Sequence, residues 1–183
     1  KYLILYMLNW QFIQGKELNL GLQHRKVSLW EYRMPDGSQH SFEINQVGGV
    51  VCVCALDAQE NLVLVEQFRP GPQKVMLELV AGLVDPNEQP LEAARRELLE
   101  ETGYTGDFKY VGKVYPDAYS DVVRHIYLAQ NCHKIQEPQL EESEFLHTKI
   151  LSIPEYEKYL LQGHSTNIAA FYLCLKFLQT LSG

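Results

Sequence analysis

Polar and apolar residues alternate along much of the first 46 positions. His24–Arg33, a Met34-Pro35-Asp36-Gly37 turn and Gln39–Asn45 read as an antiparallel hairpin, because proline presets the first turn dihedral and Asp-Gly completes the reversal. From Val47 the alternation gives way to β-branched apolar runs. Gly49–Leu56 and Asn61–Phe68, joined by Asp57-Ala58-Gln59-Glu60, predict a hairpin buried on both faces. Val75–Val80 predicts one further short strand, ending at Ala81-Gly82.

A proline-rich loop then leads to the clearest helix in the chain, Pro90–Thr102. Proline stands in its first turn and Gly103 just beyond its end. Strands are expected near Phe108–Tyr115, Val122–Ala129 and Phe145–Leu151. Two helices follow: Pro154–Gln162, stopped by Gly163, and Thr166–Leu181, which is apolar on most faces and so expected to be buried. Interspersed strands, helices and hairpins place the chain in the α/β (α+β) class. The expected fold is a mixed-sheet sandwich (residues 47–183) behind a small antiparallel β extension (residues 1–46).

Composition narrows the function. The chain has 183 residues, 46% of them hydrophobic and 21% charged, which excludes a disordered or collagen-like polymer. Its net charge of −7 repels a phosphate backbone, so no nucleic acid is expected as partner. A phosphorylated substrate would need another attractor, and a bound cation is the obvious one. The four cysteines, Cys52, Cys54, Cys132 and Cys174, show no CxxC spacing, and Cys52 and Cys54 are expected to be reduced core thiols on one strand face. Lys1–Leu8 is apolar but too short to span a bilayer and is followed by no cleavage pattern, so it reads as a frayed strand or as residues added to the domain. No membrane partner is expected, and the expected location is cytoplasmic.

On Pro90–Thr102, Leu91, Ala94 and Leu98 fall on one stripe, the expected core face. Glu97, Glu100 and Glu101 gather on the adjoining arc at spacings i, i+3 and i+4. Like charges so spaced repel by about 0.2–0.5 kcal/mol per pair. They also sit in the last turns, where the negative end of the macrodipole disfavours anions by about 0.3–1 kcal/mol each. Arg96 can offset one of them through an i,i+4 contact to Glu100. Two readings are open: a solvated acidic face, or an oxygen site for a hard divalent cation that cancels the repulsion.

The flanking residues bear on that choice. Gly82-Leu83-Val84-Asp85-Pro86-Asn87-Glu88, seven residues, then Arg96-Glu97-Leu98-Leu99-Glu100-Glu101-Thr102-Gly103-Tyr104 resembles the Nudix box, G-x5-E-x7-R-E-U-x-E-E-x-G-U, at every fixed position. The chain is thereby similar to the Nudix hydrolases, and the resemblance implies an α/β/α sandwich. Gly82 frees a sharp turn out of a strand, Gly103 allows the positive φ that ends a helix, and Glu88 is expected to reach Arg96 and pin the loop. By resemblance, Glu97 and Glu101 are metal ligands and catalytic. Glu100 and the Ala81 carbonyl join them around Mg2+, with Mn2+ a possible substitute. The implied reaction is attack of water on the diphosphate bond of a nucleoside diphosphate linked to another moiety.

Within that family the chain resembles the ADP-ribose and nucleoside-diphosphate-sugar pyrophosphatases. Val65-Glu66-Gln67-Phe68-Arg69-Pro70 is similar to their VxQFR strand, and Leu77-Glu78-Leu79-Val80-Ala81-Gly82 to their E-x-x-A-G lead into the box. The resemblance sets Arg69, Glu78 and Phe42 among substrate-binding residues. Arg69 reads as a fork for phosphate or ribose, against an ordinary surface ion pair. Phe42 reads as a base-stacking aromatic, against plain packing. Glu144, in Glu144-Phe145-Leu146, stands where those enzymes carry a catalytic base, with Glu142 and Glu141 as neighbours that could serve instead. One departure is Tyr115-Pro116-Asp117-Ala118-Tyr119-Ser120, where these enzymes usually carry a proline-glycine pair in the loop that shapes the distal-sugar pocket. The implied substrate is ADP-ribose, giving AMP and ribose 5-phosphate. Alternatives are GDP-mannose or another nucleotide sugar, and, in another class, a non-catalytic nucleotide-sugar sensor. A homodimer through the amino-terminal β extension is implied as well.

Overall fold

The computed structural model describes residues 10–21, 26–140, 142 and 144–181. The apolar segment Tyr2–Leu8, His24 and the alternative base Glu141 lie outside the described residues. Contacts divide the chain into two units. One holds the described residues up to Gly48 together with Tyr115–Val123, and the other holds Gly49–Val114 and the chain from Arg124 onward.

In the first unit, β1 (Gln11–Leu18), β2 (Lys26–Arg33) and β3 (Gln39–Gln46) form an antiparallel sheet in that order. β2 and β3 are the expected hairpin, with Trp30 opposite Phe42 and Gly37 at φ 88° in the turn. β1 was not an expected strand: its alternation is broken by a bulge between Phe12 and Gln14, and it is almost wholly exposed. Phe42 stacks on Trp10 at 5.4 Å between ring centroids and tilts against Tyr119 at 6.2 Å. Tyr119 belongs to Tyr115–Val123, which joins this unit by backbone bonds from Asn45 N to Tyr119 O and from Asp121 N to Asn45 O.

The second unit is built on a seven-stranded mixed sheet. Its elements, in chain order, are β4 (Gly49–Asp57), β5 (Leu62–Arg69), β6 (Lys74–Glu78), β7 (Val80–Leu83), α1 (Pro90–Thr102), β8 (Tyr104–Val114), β9 (Val123–Lys134), β10 (Leu146–Leu151), α2 (Ile153–Leu161) and α3 (Ile168–Leu181). The strand order is β10-β5-β4-β9-β8, with β6 on β5 and β7 on β4. Because side chains alternate across a sheet, β4 sends Val51, Val53 and Ala55 to one core and Cys52, Cys54 and Leu56 to the other. The first core is closed by Ala93, Ala94 and Leu98 of α1, the second by Tyr156 of α2 and Ala170, Phe171 and Cys174 of α3. That is an α/β/α sandwich, and all four cysteines are free and buried in it.

Three expectations are corrected. Val75–Val80 is not one strand: the chain breaks at Leu79 because β6 pairs with β5 whereas β7 pairs with β4. Leu91 is not core. Ala93 is buried in its stead, since α1 lies close enough to the sheet for small residues to make the contact. Finally, α3 is not buried all round. It buries Ala170, Phe171 and Cys174 along one stripe and leaves Ile168, Tyr172 and Leu181 exposed. No helix among the described residues is long and apolar enough to cross a membrane.

Candidate active site

The frame of the site is the loop from β7 into α1. Arg96 is its hub. Its Nε and Nη2 donate to the two oxygens of Glu88, each at 3.0 Å, and Nη2 also reaches the Leu83 carbonyl at 3.0 Å. Its Nη1 donates to Glu97 at 2.8 Å and to Glu100 at 3.1 Å. This planar fork with five donors ties loop to helix as the spacing of Glu88 and Arg96 predicts. It holds the Glu88 carboxyl below the usual range, and the carboxylates in turn push the guanidinium pKa up. Gly103 ends the helix at φ 76°, its N–H donating to Leu99 O at 2.8 Å.

The acidic arc is not a solvated face. Glu97 is 9% exposed and Glu101 5%, while Glu100 stays half-exposed. Burial is the main reason both buried carboxyls are driven upward, Glu101 to about 8. Glu97 and Glu144 push Glu101 further up, and Arg69 and the backbone N–H of Ala81 pull it back. Glu144 also raises Glu97. The field therefore gathers Glu97, Glu101, Glu144, Arg69 and Ala81 at one place. Glu142 is exposed in a turn of the preceding loop.

Two features favour a hard cation there. Oε2 of Glu101 is buried without a hydrogen-bond partner among the described residues, a state that ordinarily costs about 1–3 kcal/mol. Gly82 approaches so closely that a Cβ on it would overlap the Glu97 carboxylate, so the strand leaves room only for the acid and whatever it binds. No group of three His, Cys, Asp or Glu side chains among the described residues encloses an ion by itself. Mg2+ does not need one, since it keeps waters and takes substrate phosphates as ligands. Glu97, Glu101, Glu100 and the Ala81 carbonyl fit such an all-oxygen set.

Comparison with known proteins agrees with this frame. A sequence profile of the NUDIX domain matches residues 46–171. The chain belongs to the Nudix family. Among curated relatives, an ADP-ribose pyrophosphatase of Bacillus subtilis (strain 168) is 27% identical over 92% of this chain and 89% of its own. The methanol dehydrogenase activator of Bacillus methanolicus is 30% identical over 82% of this chain and 85% of its own. A crystal structure of an ADP compounds hydrolase shares the Nudix fold, with a TM-score of 0.77 and 19% identity over 96% of this chain and 97% of that one. As a Nudix hydrolase, the chain is an enzyme.

The remaining predicted residues divide. Glu78 is fully buried, and its oxygens face protein donors: Arg69 Nε at 2.5 Å, Gln67 Nε2 at 3.4 Å, Thr166 N at 3.3 Å and the Thr166 hydroxyl. It therefore grips Arg69 from behind, in a pair whose carboxylate is buried and whose guanidinium side chain stays about a third exposed. Phe42 lies in the amino-terminal unit, within its aromatic cluster. Sequence reasoning missed Thr166 and the Leu83 carbonyl. Thr166 stands 88 positions from Glu78, and no local pattern marks it.

Proposed function

We propose that this Nudix hydrolase cleaves the diphosphate bond of ADP-ribose, in the presence of Mg2+, to AMP and ribose 5-phosphate. The observation that carries the reading is Glu101, a carboxylate buried beside Glu97 and Glu144 with one oxygen unpartnered among the described residues. A protein gains nothing in stability from burying two carboxylates beside a third, so the arrangement is kept for a cationic ligand. Glu97, Glu100, Glu101 and the Ala81 carbonyl would hold Mg2+, which supplies charge neutralisation at the diphosphate and acidifies water.

The other roles fall to the chain's own groups. Arg69, fixed through Nε, presents its Nη nitrogens to the diphosphate oxygens and offsets the repulsion of a protein of net charge −7. Glu144, at the end of the loop before β10, accepts the proton of the attacking water. Arg96 stays out of the chemistry, since Glu88, Glu97, Glu100 and Leu83 consume its donors. Homodimerisation through the amino-terminal sheet belongs to the same proposal. Its support is the exposed apolar run Trp10, Phe12 and Ile13 on that sheet.

The test is turnover of ADP-ribose, other ADP-sugars and GDP-mannose with Mg2+, Mn2+ or chelator, with products separated after reaction in 18O-labelled water. AMP and ribose 5-phosphate, formed only with the metal, are expected. Faster turnover of GDP-mannose would replace the substrate. Tight binding of ADP-ribose with no turnover of any nucleotide sugar would make the protein a sensor. Light scattering should give twice the chain mass for the dimer.

A further inference from the structure

Arg69 must be held still to be useful, and what holds it reaches beyond the strand that carries it. Its Nε donates to Glu78 Oε2, while neither Nη nitrogen has a hydrogen-bond partner among the described residues. The other oxygen of Glu78 is taken twice by one residue, Thr166, through its backbone N–H at 3.3 Å and its hydroxyl.

Thr166 is itself anchored. It lies in the connector between α2 and α3, where the His164 carbonyl accepts from Leu77 N at 2.9 Å, one residue before Glu78 in β6. The Ser165 hydroxyl meets the hydroxyl of the buried Tyr156 at 2.8 Å and accepts from Asn167 N at 3.2 Å. Tyr156 packs edge-on against Phe171 of α3 at 5.0 Å. The connector is thus fastened to β6, α2 and α3 on either side of Thr166, and its hydroxyl is spent on Glu78.

We propose that Thr166 is a positioning residue for Arg69: by clamping one Glu78 oxygen it stops the carboxylate from rotating, and the other oxygen then fixes the direction of the Arg69 fork toward the substrate diphosphate. The role rests on the pyrophosphatase reading for what the fork binds, though not for the clamp itself. Nothing in the chemistry of the Nudix box requires it, and the hydroxyl touches no reacting atom.

Two measurements test it, on T166V, T166S, R69A and the R69A/T166V double variant. The first is free of substrate. The Arg69 Nε–H resonance, identified by its loss in R69A, should be downfield and slow to exchange in the native protein and in T166S, and should move upfield and broaden in T166V. An unmoved resonance in T166V overturns the clamp. The second is steady-state hydrolysis of ADP-ribose with Mg2+. T166V should raise KM about tenfold with a smaller change in kcat, and T166S should stay within about twofold of native. T166V should add nothing on top of R69A, because both act through one fork. Independent, multiplying effects of the two substitutions would refute the route through Arg69. If T166V does not fold, T166A is read by the same two measurements. If the native protein turns over no nucleotide sugar, the functional reading fails by itself, and the resonance still decides the clamp.

Discussion

Glu101→Gln separates what this carboxylate does for the fold from what it does for catalysis. In the unfolded chain its proton leaves near 4.5, and in the folded protein it is kept until about 8. Below 4.5 both states hold the proton and burial costs little. Between 4.5 and 8 unfolding releases a proton, so stability falls with each step up in pH, and above 8 the loss is complete. At about 1.4 kcal/mol per pH unit the full penalty is about 5 kcal/mol, and roughly half that once neighbours relax and water enters. Glutamine imitates the protonated acid at every pH. Chelator-treated E101Q should therefore match the native protein at pH 4–5 and exceed it by about 2–3 kcal/mol at pH 9, some 5–10 °C in Tm for a chain of this size.

Urea and thermal unfolding at pH 5, 7 and 9 measure this. Mg2+ should recover stability in the native protein at pH 8 and do little for E101Q, since binding to the folded state alone stabilises it by mass action. Turnover by E101Q should fall at least about a hundredfold, the scale on which active sites lose an oriented charged group. A stability difference that does not change with pH would refute the burial argument. Near-native turnover with ordinary Mg2+ dependence would refute the ligand assignment.

Other outcomes follow from the same geometry. G82A should keep its fold yet lose about a hundredfold in kcat/KM, because the new methyl displaces the Glu97 carboxylate and a shift of about 1 Å at a reacting centre costs that much; turnover close to native would refute it. R96K loses the two-pronged grip on Glu88 and the bond to Leu83, and should be about 1–2 kcal/mol less stable by urea unfolding. Glu88 is held below the usual carboxylate range, so that deficit should be present at neutral pH and shrink as pH falls beneath that range. E144Q should lower kcat by about 10²–10⁴ while calorimetric Mg2+ affinity stays near native, and an unchanged kcat would move the base elsewhere in the loop.

Local chemistry made some of this legible in the sequence. Proline at the first helical position and glycine after the last mark both ends of α1, and the turn residues mark the β2–β3 and β4–β5 hairpins. The break at Leu79 left no trace, because a run buried on both faces has no period to interrupt and only the change of strand partner divides it. α3 misled for the opposite reason. Its composition is apolar all round, while a helix on the outside of a sandwich can press only one stripe against the sheet. The arc of Glu97 and Glu101 beside Ala94 and Leu98 was visible in the sequence, but their burial was not, because depth is set by how near the sheet stands, and small Ala93 and Ala94 bring it close. Thr166 could not be found, since its partner is decided by two other helices and a strand.

Two buried glutamates in one unit show how structure can separate support from chemistry. Glu78 is sealed in and its oxygens are met by an arginine, a glutamine, a hydroxyl and a backbone amide, so its desolvation is compensated inside the protein and it serves to hold Arg69. Glu101 is almost as deeply buried, draws repulsion from Glu97 and Glu144, and keeps one oxygen with no partner among the described residues. The contrast sets Glu78, whose charge is met inside the protein, apart from Glu101, whose buried charge is not. Arg96, though adjacent in sequence to Glu97, spends its donors on the loop residues Glu88 and Leu83 and on Glu97 and Glu100.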